Sequence, residues 1–241
     1  MKKQLAVLFA LVSGIAIGHA ARTPAAPLAL AGDEPADPGD PDKVLAALVE
    51  GNERFVAGKA RRDHQDAARV TELAQGQHPR ACVLACSDSR VSPEIVLDQG
   101  LGDIFVIRVA GNVTDAAITG SVEYAVEHLA TPLVLVLGHT GCGAVTAAVK
   151  THGHPKALLA LGPNIQDLVE RIEPVLAAIP GDVAEPERIA RAIEANARFV
   201  AAELESTSEI VRTRLAAKKV EVVPAIYDLM DGGKLHVLSG H

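Results

Sequence analysis

Two short stretches of this 241-residue chain carry side chains that could do chemistry together. The first is Cys86-Ser87-Asp88-Ser89-Arg90, after the apolar run Cys82-Val83-Leu84-Ala85. The second is Gly138-His139-Thr140-Gly141-Cys142-Gly143, after the apolar run Leu133 to Leu137. Each reads as the carboxyl end of a buried strand turning into a polar loop, and open α/β sheets place their chemistry at such ends. If the two strands are neighbours, Cys86, His139 and Cys142 converge. Two thiolates and an imidazole are a soft-to-borderline donor set that suits zinc. Three protein ligands leave a fourth position open, as catalytic zinc requires; a structural zinc is normally closed by a fourth protein ligand. The competing reading is three unrelated buried residues, because free cysteine often behaves as a small core hydrophobe. Placement at strand ends, with Gly138, Gly141 and Gly143 clearing space, favours the metal.

Asp88 and Arg90 admit two readings as well. A solvated ion pair on a loop is common and contributes little. Beside a metal the pair has a sharper use. Zinc lowers the pKa of a bound water towards neutrality, and the resulting hydroxide needs an acceptor for its remaining hydrogen. Asp88 can be that acceptor while it is ionised and held off the metal, and Arg90 can hold it there with a two-pronged charge-assisted bond. Cys82 stands apart. Four residues before Cys86 in the same strand, it is roughly 13 Å away at strand rise, too far to share a metal or form a disulfide with it, so it reads as core.

The elements that must position these groups alternate along the chain. Strands are expected over Ala81–Ala85, Ile104–Val109 and Leu133–Leu137, with helices near Pro93–Asp98, over Ala116–Leu129 and opening near Cys142. Uniformly apolar strands imply burial on both faces, hence α/β architecture: a central, mostly parallel sheet flanked by helices. Residues 164–217 read as mostly helical, punctuated by Pro174, Pro180 and Pro186, and are expected to form an outer helical layer. Lys219–Ala225 reads as a late strand and Leu235–Leu238 as a terminal edge strand. Asp42 is the expected N-cap of a first helix carrying Val44, Leu45, Leu48, Phe55 and Val56.

Composition bounds the rest. Apolar residues make up 49% of the chain and aromatics 2%, so the core is built from Ala, Val, Leu and Ile. A formal net charge of -7 with no basic patch argues against a nucleic-acid partner. Three cysteines are too few for a disulfide scaffold. Residues 1–20 read as a secretory signal peptide, with Lys2 and Lys3 before the apolar stretch Leu5–Ile17 and small residues at the outer positions of Gly18-His19-Ala20. That stretch falls short of the ~20 residues that span a bilayer, so no stable membrane insertion is expected once the leader is removed. The alternative is an uncleaved anchor. Residues 21–41, rich in proline, read as a disordered linker, leaving residues 42–241 as the folded domain. The leader points to a periplasmic or secreted bacterial protein.

The pattern Cys86-Ser87-Asp88-Ser89-Arg90, followed by Gly138-His139-Thr140-Gly141-Cys142-Gly143-Ala144-Val145, resembles the β-class carbonic anhydrases. The likeness continues through Glu94–Asp103, Phe105–Asn112 and Gly120–Ala125, and covers roughly Asp42 to Leu238. The resemblance implies one Zn2+ per chain on Cys86, His139 and Cys142. It implies catalytic roles for Asp88 and Arg90, with Asp88 able to close onto the metal in an inactive form. The implied reaction is reversible hydration of CO2 to bicarbonate and a proton by zinc-bound hydroxide. It further implies an apolar CO2 pocket completed by a partner subunit, for which Val91, Gln99, Phe105, Gly111 and Tyr124 are candidates, and a homodimer or higher even oligomer. Val83 stands where some bicarbonate-inhibited members of that family carry Trp, which puts that regulation in doubt. His152 and His154 are candidate proton shuttles, although exposed loop histidines are the plainer reading. Alternative functions on the same residues are hydrolysis of carbon disulfide or carbonyl sulfide, and a non-catalytic zinc-binding or redox module. Retention of both Asp88 and Arg90 favours catalysis, because zinc storage needs neither.

Overall fold

The computed structural model describes residues 39–239, so the leader expected over residues 1–20 and most of the linker expected over residues 21–41 lie outside the described residues. The first helix, α1 (Pro41–Val56), begins two residues earlier than an N-cap at Asp42 would place it. Asp40, not Asp42, is its N-cap: the Asp40 carboxylate accepts a hydrogen bond from the Asp42 N–H at 3.1 Å. Pro41 takes the start of the helix, where a missing N–H is no loss and a fixed φ is already helical. The last proline of the run therefore starts a helix.

After α2 (Ala67–Leu73) come β1 (Ala81–Ala85), α3 (Pro93–Val96), β2 (Ile104–Arg108), a 3-10 turn at Ala110–Asn112, α4 (Ala116–His128) and β3 (Leu133–His139). The chain continues through α5 (Gly143–Thr151), α6 (Pro155–Leu159), α7 (Pro163–Leu176), α8 (Glu185–Thr207), α9 (Glu209–Ala216), β4 (Glu221–Asp228) and β5 (Lys234–Val237). The strands form one five-stranded sheet in the order β2-β1-β3-β4-β5. The first four are parallel and β5 pairs antiparallel at the edge. Every residue of β1 and of β3 is buried, as strands covered on both faces must be.

Side chains divide between the two faces by parity. Cys82, Leu84, Val134, Val136, Val222 and Ile226 pack with residues of α4, α5, α7 and α8. Ala81, Val83, Ala85, Leu133, Leu135, Leu137 and Ala225 pack with α1 and the α3 region. The helical stretch after β3 is not an outer layer, as its sequence suggested. Ala192, Ile193, Asn196, Ala197, Val200, Ala201 and Leu204 of α8 are buried, and α8 lies directly on β3 and β4. The alanines allow the close approach. Gly138 does the same from the sheet side: a Cβ there would stand 2.8 Å from Ile226 Cδ1 and 3.5 Å from Ala197 Cβ.

Candidate metal centre

Register decides the site. β1 and β3 are direct neighbours, with Ala85 opposite Leu137. Cys86 and Gly138-His139 therefore leave the middle of the sheet side by side. Cys142 reaches the same point because the loop after His139 turns at once into α5, for which Cys142 is the N-cap. The Cys86 and Cys142 sulfurs and a His139 ring nitrogen all lie within 4.8 Å of one another. All three residues are buried, and His139 is 0% exposed.

The histidine shows whether a cation fits. Its Nδ1–H donates to the Thr140 carbonyl at 3.0 Å, which leaves the lone pair on Nε2. Nε2 is buried and has no hydrogen-bond partner. A buried ring nitrogen normally finds one. Here it stands beside two sulfurs, so the donor set is complete for a soft-to-borderline cation.

Charge on the sulfurs is shared unequally between them. Cys86 is drawn down to about 4, first by the Cys142 thiol donating to it, against the opposing effect of burial, with further help from the adjacent His139 ring and then from the Gly111 and Asp88 N–H groups. Cys142 is driven up by holding that hydrogen bond, by burial and by the Cys86 charge, although the Ala144 and Val145 N–H groups at the start of α5 oppose the rise. Cys82, on the same strand but in the core, shows the contrast: burial alone pushes it up to about 12.

Asp88 and Arg90 form the two-pronged pair. Arg90 Nε donates to Asp88 Oδ1 at 2.9 Å and Nη2 to Oδ2 at 2.7 Å, while the Arg90 backbone N–H also reaches Oδ1 at 3.0 Å. Asp88 Oδ2 is 3.9 Å from His139 Nε2, so the carboxylate borders the cluster. The guanidinium, more than burial, sets its protonation and holds its carboxyl well below the usual carboxylate range.

Two supports were not foreseen from sequence. Arg108, at the end of β2, donates from Nε to the Cys86 carbonyl at 3.1 Å and from Nη2 to the Asp88 carbonyl at 2.7 Å. A charged residue closing an apolar strand beside the reactive loop was the available signal. Thr140 is fixed by donating to Asp228 Oδ1 at 3.0 Å, and its hydroxyl accepts from the Leu229 N–H at 2.8 Å. Asp228 thereby steadies the carbonyl that orients His139.

The pocket candidates divide. Gly111 joins the cluster directly, its N–H donating to Cys86 Sγ at 3.3 Å. Val91 is buried on the α1 face of the sheet. The Gln99 amide donates to the Leu97 and Asp98 carbonyls and accepts from Arg80, none of which belongs to the cluster. Phe105 lies opposite Cys82 in the sheet register, so it sits four residues, ~13 Å at strand rise, back from the level of Cys86. Its ring packs 6.3 Å from that of Tyr124, which in turn lies 5.2 Å from His128. Within one chain these aromatics do not reach the cluster. His152 is held by Glu173, its Nδ1 donating at 2.6 Å, and His154 is exposed at the start of α6.

Comparison with known proteins agrees with this geometry. The carbonic anhydrase family model matches residues 81–234, which span β1 to β4 and the whole cluster. Carbonic anhydrase 2 of Mycobacterium tuberculosis is 40% identical over 196 residues, covering 80% of this chain and 91% of that protein. Among solved structures, the β-carbonic anhydrase of Coccomyxa superposes with a TM-score of 0.64 at 25% identity, covering 80% of this chain and 86% of that one. Of two tetrameric β-carbonic anhydrases from Sordaria macrospora, the matching chain gives a TM-score of 0.61 at 25% identity, covering 82% of this chain and 98% of its own. With the Cys–His–Cys cluster on adjoining parallel strand ends, this chain belongs to the carbonic anhydrase family, in its β class.

Proposed function

We propose that Cys86, His139 and Cys142 hold one zinc ion per chain, and that Asp88 and Arg90 complete the machinery for CO2 + H2O ⇌ HCO3− + H+. The observation that carries the ligand assignment is the buried, partnerless His139 Nε2 beside the two sulfurs. When bound, zinc supplies Lewis acidity that makes water a nucleophile near neutral pH. The chain's own residues do the rest. Asp88, kept ionised by Arg90, accepts the hydrogen of the attacking oxygen and so turns a lone pair towards the CO2 carbon. Arg90 holds the carboxylate by both oxygens, which keeps it in that acceptor role and off the metal. Arg108 fixes the backbone on both sides of Ser87, so ligand and acceptor keep a constant separation.

Phe105 and Tyr124 fit the CO2-pocket role only across an interface, where a second copy brings its own cluster to them. The exposed apolar side chains of Ile95 and Leu101, at 59% and 46%, support such an interface, and we read the assembly as a homodimer or a higher even oligomer. The basic-then-apolar start of the sequence supports a cleaved leader and a periplasmic or secreted enzyme. Among the described residues no helix is long and apolar enough to cross a membrane.

The test is stopped-flow CO2 hydration on the mature protein, with zinc measured on the same sample. Fast hydration at one zinc per chain, abolished by a chelator and restored by zinc, is the expected result. A fully zinc-loaded protein that hydrates no CO2 at any pH would overturn the assignment. Sedimentation of the same sample reports the assembly, and the amino-terminal residue of exported protein reports the leader.

A further inference from the structure

The hydrogen bond from Gly111 to Cys86 needs explaining, because the turn that makes it is unfavourable on its own. Gly111 has φ 73° and ψ 12°, a left-handed conformation suited to glycine. A Cβ there would stand 3.0 Å from both Ala144 Cβ and Ile172 Cδ1. Asn112, next in line, is also left-handed at φ 44°. Two successive residues in this region need an outside hold.

That hold comes from α8. Asn196 Nδ2 donates to the Gly111 carbonyl at 2.9 Å. Gly111 is thus gripped on both sides of its Cα, its N–H on the Cys86 sulfur and its C=O on Asn196. Asn196 is 1% exposed, and its own carbonyl oxygen has no partner. An idle buried carbonyl is unfavourable, and an apolar residue would fill the same place without it. Seven residues on, along the same face of α8, Glu203 accepts from the Thr114 hydroxyl. Arg171 of α7 donates to the Thr114 carbonyl at 2.7 Å. The segment from Gly111 to Thr114 is therefore fastened to the helical layer at both ends.

We infer that Asn196 is a positioning residue for the metal centre: through the Gly111 carbonyl it holds the Gly111 N–H on the Cys86 sulfur, and so sets the donor strength and metal retention of that thiolate. The inference rests on the zinc reading above. Partners one shell beyond the ligands typically change metal affinity by about 10–100-fold when removed.

The experiment compares wild type with Asn196→Leu, of similar size and without a donor, and with Val200→Ala one turn further along the buried face as a control. Asn196→Ser, too short to reach the Gly111 carbonyl, carries the same expectation should the leucine variant not fold. Zinc affinity is read by competition with a chromophoric chelator. Each protein is then loaded with cobalt(II) and its thiolate-to-cobalt absorption recorded. The Asn196 variants should bind zinc about 10–100-fold more weakly, and their cobalt band should move to longer wavelength, because a sulfur that has lost an N–H donor holds its electrons less tightly. Val200→Ala should move the band in neither direction. Wild-type affinity and band position in the Asn196 variants, or the same changes in the control, would overturn the role of Asn196 alone. A wild-type chain that takes up no zinc would remove the metal reading as well.

Discussion

At the scale of single residues, the division of labour between Cys86, Asp88 and Arg90 follows from position on one turn. Cys86 points into the buried cluster, while Asp88 and Arg90 face one another at its rim. Neither Asp88 nor Arg90 is needed to bind a metal, since the three donors are already complete. Asp88→Ala should therefore keep one zinc per chain and lose turnover by about 10²–10⁴-fold, the usual range for a lost proton acceptor. Zinc content and stopped-flow hydration on one preparation check it, and wild-type turnover in that variant would sink the assignment. The sulfurs are equally legible in chemical terms. Cys82 shares residue type and strand with Cys86, yet burial without partners leaves it a protonated core thiol.

At the scale of elements, two side chains show how the frame around the site is joined. Arg108 ties the end of β2 to the loop leaving β1 through the Cys86 and Asp88 carbonyls. Arg108→Ala frees both residues at once, so zinc retention under a chelator and turnover should fall together, unlike the separation expected for Asp88→Ala. Unchanged zinc retention in that variant would show that the sheet alone holds the loop. Asn52 joins α1 to two other elements. Its Nδ2 donates to the Val96 and Gly233 carbonyls, each at 2.9 Å, and its Oδ1 accepts from the Leu235 N–H at 2.8 Å. Asn52→Leu leaves three backbone groups without their partner. At roughly 1–3 kcal/mol for each buried group left unmade, a loss of about 3 kcal/mol or more is expected in urea unfolding. Zinc stoichiometry should not change, because none of these groups touches the cluster.

At the scale of the whole molecule, charge sets the acid limit of the fold. Asp98 is buried, which by itself raises its pKa. The Arg54 side chain and the Arg62 and Arg61 N–H groups outweigh that and hold it below the ordinary value. Asp228 is likewise held down, by the Met230 and Asp231 N–H groups and the Thr140 hydroxyl against its burial. A carboxyl with a depressed folded pKa adds stability that is fully present above its unfolded pKa, about 3.9, and is lost as pH falls through the folded value. Asp98→Asn should therefore be less stable than wild type at neutral pH, with the gap closing below about pH 4. Urea midpoints across pH measure this, and a gap that does not narrow on acidification would show that Asp98 contributes through packing.

The sequence by itself determined the donor set, the Asp88–Arg90 pair and the α/β class, because these are properties of residue type and short spacing. A Cys, an Asp and an Arg within five consecutive residues can meet only locally, and uniformly apolar strands can be satisfied only inside a sheet covered on both sides. The adjacency of β1 and β3 was an inference from the ligands, and the register of Ala85 on Leu137 made it real. Other features belonged to the tertiary structure alone. Arg108, Asn196 and Asp228 act over 20 to 88 residues of chain, the first two on backbone carbonyls and the third on the Thr140 hydroxyl, and no local pattern shows where a distant partner will stand. Asn196 left one trace, a polar residue inside the buried stripe of α8. The burial of α8 and the separation of Phe105 from Cys86 likewise came from packing and register. Chemistry at this site is written in side chains close in sequence, whereas its rigidity comes from hydrogen bonds that exist only once the sheet and its helices have packed.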